Sequence, residues 1–119
     1  MDAIRTYQAN AITTQSRGRL IVLLYEGAIK FLRQAQKELE AGNMAAKGEY
    51  INKSVAILHE LDACLDLDAG GEIAKNLRKL YHFMIKHLND ANIHRDSERI
   101  QSVINCLTDL NEGWKVAVT

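Results

Sequence analysis

Leu20-Ile21-Val22-Leu23-Leu24-Tyr25-Glu26-Gly27-Ala28-Ile29-Lys30-Phe31-Leu32 holds two charged residues in thirteen and no proline. Wound at about 100° per residue, Leu20, Phe31, Leu24, Ala35, Ala28, Ile21, Leu39, Leu32, Tyr25, Ile29 and Val22 fall on one arc of about 200°. A helix packed once against a core needs a stripe only somewhat wider than about 100°. The surplus flank, Val22, Tyr25 and Ile29, therefore needs cover from elsewhere in the chain or from another molecule. Two readings stay open: a bundle helix that buries two flanks, or a groove kept for an apolar partner.

Working outward, the periodicity predicts four helices. The first covers about 16–40 and stops at Ala41-Gly42-Asn43, where Gly42 can take the left-handed conformation that closes a helix. A second, about 44–67, carries Ile51, Val55, Leu58, Leu61 and Leu65 at helical spacing, and Asp68-Ala69-Gly70-Gly71 breaks it. The third, about 72–92, repeats Ile73, Leu77, Leu80, Tyr81, Met84, Ile85 and Leu88. Asp96 is positioned to cap a fourth, about 97–118, with Ile100, Val103, Ile104, Leu107, Leu110, Trp114 and Val118 on its stripe. Short links between long amphipathic helices predict an all-α, antiparallel up-down four-helix bundle over 16–119. Residues 1–15 lack helical period and read as an extended N-terminal arm.

Composition bounds the function. The chain has 119 residues, 47% hydrophobic and 25% charged, no proline, and 15 basic against 15 acidic residues. That length suits one domain with a single core. Zero net charge with interspersed signs provides no basic stripe for a nucleic-acid backbone, so no nucleic-acid partner is expected. No apolar run reaches the roughly 18 residues of a membrane span, and the first residues lack the order of a secretory signal. Cys64 and Cys106 fit reduced thiols. The expected location is the cytoplasm.

Catalytic and metal chemistry find no foothold. The residues three before His59, His82, His87 and His94 are Ala56, Lys79, Met84 and Ala91, so the Glu-x-x-His motif of carboxylate-bridged metal bundles is absent. Asp66-Leu67-Asp68-Ala69-Gly70-Gly71 opens like a calcium loop, but its twelfth position is Leu77, where a bidentate glutamate is required. No serine sits in a nucleophile elbow. Cys64 has acidic neighbours, Asp62, Asp66 and Asp68, the wrong surroundings for a nucleophilic thiolate. No enzyme activity and no cofactor are expected. Asp62 lies within the apolar arc of the second helix, which predicts either a basic partner or a polar anchor at a groove.

Four blocks of sequence resemble one family. Tyr7-Gln8-Ala9-Asn10 is similar to its N-terminal segment, and Leu20 to Ala28 to its first-helix signature. Gly70-Gly71-Glu72-Ile73-Ala74-Lys75-Asn76-Leu77, continuing to Leu80-Tyr81-His82-Phe83-Met84, is the most specific block. Ala91-Asn92 with Asp96, then Trp114-Lys115, completes the pattern. The chain thus resembles the flagellar export chaperone FliS family over its whole length. One departure stands out: Ser16 is followed by Arg17-Gly18-Arg19 where the family often has Ser-Pro and an acidic residue. That places two cations at a helix N-terminus, where the macrodipole disfavours them.

The resemblance implies a cytosolic chaperone that holds the C-terminal segment of flagellin before secretion, prevents its premature polymerisation and delivers it to the membrane export gate of the flagellar type III pathway. It leaves open docking of regulatory flagellar proteins, and a self-associating bundle that forms a homodimer when empty is the alternative. Client contact is expected at Val22, Tyr25 and Ile29 on the first helix, at Ile57, Leu61 and Cys64 on the second, and at Leu80, Tyr81 and Met84 on the third. For the last three, plain core is an equal reading. Tyr7 and Gln8 are expected to serve as lid or gate-docking residues, because an aromatic in a polar arm needs a destination. Trp114 is assigned to the core. Tyr25→Asp is expected to abolish client binding with helicity retained; unfolding of that variant would place Tyr25 in the core.

Overall fold

The computed structural model describes residues 14–117. Four helices follow in order: α1 (Thr14–Glu40), α2 (Met44–Ala63), α3 (Leu67–His94) and α4 (Ser97–Ala117), with no strand among the described residues. Each of α1 and α3 packs against both α2 and α4, so the helices close a ring of antiparallel neighbours. This is the four-helix bundle that the spacing predicts. It explains much of the wide arc of α1, which has two neighbours to satisfy.

Chemistry at the breaks accounts for the boundaries. Gly42 (φ 82°) takes the left-handed conformation after α1, and Asn43 N–H bonds back to Glu38 O at 2.9 Å. α2 stops at Ala63, four residues earlier than its periodicity suggests, because Asp66 starts the next helix by accepting a hydrogen bond from Ala69 N–H at 3.0 Å. One turn later the chain resets at Gly71 (φ 54°, ψ −134°), a conformation that L side chains rarely adopt. Gly70 is needed for room, since a Cβ there would lie 2.6 Å from Ala74 Cβ. The Gly-Gly of the sequence block is thus a hinge in direction, with helix on both sides. At the other end of α3, Arg95 is left-handed (φ 54°, ψ 44°) and Asp96 N–H reaches Ala91 O at 3.0 Å. Asp96 Oδ1 then caps α4, accepting from Glu98 and Arg99 N–H at 3.1 and 3.2 Å. α1 starts at Thr14, two residues before the expected position, so residues 14 and 15 of the predicted arm are helical; residues 1–13 lie outside the described residues.

The core is built from Tyr25, Ala28, Leu32 and Ala35 of α1, Ile51, Leu58 and Leu61 of α2, Tyr81, Met84, Leu88 and Ala91 of α3, and Ile100, Val103, Ile104 and Leu107 of α4. Each fully buried large aliphatic side chain contributes about 1.5–3 kcal/mol relative to exposure. Small residues bring α1 and α2 together: Ser54 Oγ donates to Ala28 O at 3.2 Å, and a Cβ on Gly27 would meet Ile57 Cδ1 at 3.4 Å. On the outer face of this pair Phe31 stacks on Tyr50, ring centroids 6.2 Å apart, under the Lys53 ammonium.

Candidate functional site

The helices are flush at one end of the bundle and ragged at the other. At the flush end Lys47 of α2 donates through Nζ to the Asn92 backbone oxygen at 2.9 Å, and to the Asn92 side-chain oxygen, closing the last turn of α3. At the ragged end, Gly27 lies against Ile57 and Ala28 against Ser54, so the end of α2 at Ala63 comes roughly level with Ile21. Trp114 lies against Tyr25, so α4 also stops near the level of Val22. The first two turns of α1 therefore run about 10 Å past both neighbours. Arg78 reaches Asp62 at 3.2 Å, so the start of α3 around Ile73 likewise lies beyond α2.

Exposed apolar side chains are present at this end. Leu23 is 61% exposed, Ile73 73% and Val116 75%, with Leu20 and Cys64 also exposed. Periodicity put Ile73 on the core stripe of α3; the structure leaves it 73% exposed, while the next residue, Ala74, is 4% exposed and takes the inward position after the chain resets at Gly71. Scattered exposed apolar residues are ordinary, and Phe83 and Ile93 are exposed elsewhere on α3; those at this end are the candidate contact residues. Leu23 and Val116 were not singled out from sequence. Their signal was the difference in helix length, 27 and 28 residues for α1 and α3 against 20 and 21 for α2 and α4.

Of the residues singled out from sequence, Val22, Ile29, Ile57 and Leu80 are half-buried and Cys64 is exposed. Tyr25, Leu61, Tyr81 and Met84 are buried. Tyr25 is 0% exposed, and its hydroxyl lies 2.6 Å from that of Tyr81, so this flank of α1 faces the interior between α3 and α4. Burial raises the Tyr25 phenol, against the lowering effect of hydrogen bonds with Tyr81 and Trp114. Burial also raises Tyr81. Trp114 is half-buried, its ring centroid 6.4 Å from that of Tyr25. Tyr7 and Gln8 lie outside the described residues.

Asp62 has basic partners across the α2–α3 seam: Arg78 Nε at 3.2 Å and His82 Nε2 at 3.3 Å. A concavity of about 500 Å³ runs between α1 and α4. Ile29 lies in its wall with Lys30, Arg33 and Lys37 on one side and Thr108, Asn111 and Lys115 on the other. Among the described residues no group of three or more His, Cys, Asp or Glu is arranged to hold a metal ion, and no helix is long and apolar enough to cross a membrane.

The family model described as flagellar protein FliS matches residues 1–119. The chain is similar to the flagellar secretion chaperone FliS of Salmonella typhimurium, 40% identical over 107 residues, covering 89% of this chain and 79% of that protein. It is also similar to flagellar secretion chaperone FliSB of Pseudomonas aeruginosa, 36% identical over 96% of this chain and 94% of that one. The FliS protein of Bacillus subtilis is 32% identical over 94% of this chain and 83% of its own length. Matched from its first residue to its last, and folded as the bundle its four sequence blocks imply, the chain belongs to the FliS family of flagellar secretion chaperones.

Proposed function

We propose that the protein binds the C-terminal segment of flagellin in the bacterial cytosol, keeps it from polymerising and hands it to the membrane export gate. The observation that carries this reading is the apolar ragged end, joined to membership of a secretion-chaperone family. A flagellin end that packs against neighbouring subunits in a filament exposes apolar surface when the subunit is alone. Leu20, Val22, Leu23, Cys64 and Ile73 offer that surface a substitute partner, with Ile29, Ile57 and Leu80 along the half-buried seams. The fully buried Tyr25, Leu61, Tyr81 and Met84 form the floor beneath and set the shape of the surface. Tyr7 and Gln8, on the segment preceding α1, are proposed as lid or gate-docking residues.

Binding of this kind is recognition of apolar side chains at i, i+3/i+4 and i+7 coupled to folding of the segment. It typically buries roughly 1,000–3,000 Å² and spends a few kcal/mol on ordering, which leaves the client releasable. The chemistry requires no cofactor. The test is calorimetric titration with a peptide spanning the C-terminal helical segment of a cognate flagellin, with circular dichroism on the same mixtures. One-to-one binding with negative heat-capacity change and gained helicity is expected. Absence of binding, with concentration-dependent dimerisation in sedimentation, would assign the apolar end to self-association instead.

A further inference from the structure

The groove between α1 and α4 holds a polar group without a partner. Asn111 is 2% exposed, lies in the groove wall, and its Oδ1 is occluded with no hydrogen bond. Its neighbour Thr108 is satisfied within its own helix, donating to Ile104 O at 2.7 Å. A buried amide oxygen left unpaired is destabilised, and a donor in the groove relieves it once the carboxamide rotates toward the opening. Beside it Lys30, Arg33 and Lys37 stand exposed at i, i+3 and i+7 on α1, in no ion pair among the described residues. Across the groove Lys115 is already matched by Glu112 at 3.6 Å, and Glu26 closes the far end. The groove is thus cationic toward the C-terminal end of α1, while Asn111 stands near its Glu26 end, about one turn from Trp114, which packs on Tyr25.

We propose that this groove binds an extended acidic segment of a partner protein, its backbone pairing with the Asn111 carboxamide and its carboxylates with Lys30, Arg33 and Lys37. Extended backbone suits the groove because a helical segment spends its amides internally beyond its first turn and has few to offer Asn111. From Glu26 to Lys37 the wall is about 16 Å long at the helical rise, the length of about five extended residues. Alternate side chains of an extended segment are about 6.6 Å apart and point the same way. The three cations succeed one another at about 4.5 and 6 Å along the axis, within reach of that period given their long stems. The site lies on the side of the bundle and shares Ile29 with the proposed client seams, but Lys30, Arg33, Lys37 and Asn111 belong to it alone.

The probe is a fluorescein-labelled peptide of about five residues alternating glutamate and alanine, followed by fluorescence anisotropy and by the Asn111 side-chain amide signals in ¹H–¹⁵N spectra of the full chain. Saturable, salt-sensitive binding that shifts the Asn111 amide pair is expected, with the matching lysine–alanine peptide inert. Lys30→Glu/Arg33→Glu, both at exposed positions, should weaken binding at least tenfold with thermal unfolding unchanged. Asn111→Leu should weaken it about fivefold or more, and its own melting curve separates lost binding from lost folding. Binding that survives Asn111→Leu and leaves the wild-type amide signals unmoved is bulk charge attraction and overturns the proposal. So does a homodimer that Lys30→Glu/Arg33→Glu dissociates, because the groove would then belong to a second copy of this chain.

Discussion

The two tyrosine hydroxyls at the centre of the bundle are held by each other, so removing one affects both. Tyr25→Phe should cost about 1–3 kcal/mol by orphaning Tyr81, and the double Phe variant should cost less than the sum of the singles in urea denaturation. Placing a carboxylate there is harsher: with Tyr25 fully buried, Tyr25→Asp is expected to unfold the chain, which circular dichroism would show directly. The pair also sets an alkaline limit. Burial raises both phenols above the ordinary value of 10.0, so the folded chain keeps protons that the unfolded chain releases. Their stabilisation is full below about pH 10 and is lost as pH rises beyond it. Lys47 acts with the opposite sign. Burial and then the Arg95 charge lower its ammonium, so the penalty is present at neutral pH and lifts as pH nears its ordinary 10.5. Urea titrations from about pH 9 to 11 should show an alkaline fall that Tyr25→Phe/Tyr81→Phe lacks and that Lys47→Met steepens.

At the scale of the element, the junction between α2 and α3 is the most constrained stretch of backbone described. Gly71→Ala should cost about 1–2 kcal/mol, because alanine pays for a positive φ that glycine takes freely. Gly70→Ala should also destabilise, by pushing the first turn of α3 off Ala74. At the opposite end of α3, Arg95 occupies a left-handed position for which glycine is the natural occupant. Arg95→Gly should therefore gain a few tenths to about 1 kcal/mol, helped by removing the charge that disfavours Lys47. Equilibrium unfolding checks all three.

For the whole molecule, the decisive feature is that α1 and α3 outrun their neighbours. Leu23→Glu and Ile73→Glu alter exposed side chains, so stability should stay within about 0.5 kcal/mol of the parent. Affinity for the flagellin peptide should fall at least tenfold in calorimetry. Loss of stability instead would make these residues structural. The four helices, the stop at Gly42 and the Asp96 cap were legible in the sequence because they rest on local chemistry: periodicity, a left-handed glycine and a side-chain acceptor at a helix start. The same local reading placed Ile73 in the core and Tyr25 on a partner-facing flank, and there it had no purchase. A helical stripe gives a direction around one axis, but the reset at Gly71 turns that direction for Ile73, and whether a neighbour stands in it depends on where the other helices stop. The family signature and the helical order were thus determined by the chain itself. Which apolar residues remain uncovered, and which buried amide lacks a partner, was decided only when four helices of unequal length were set side by side.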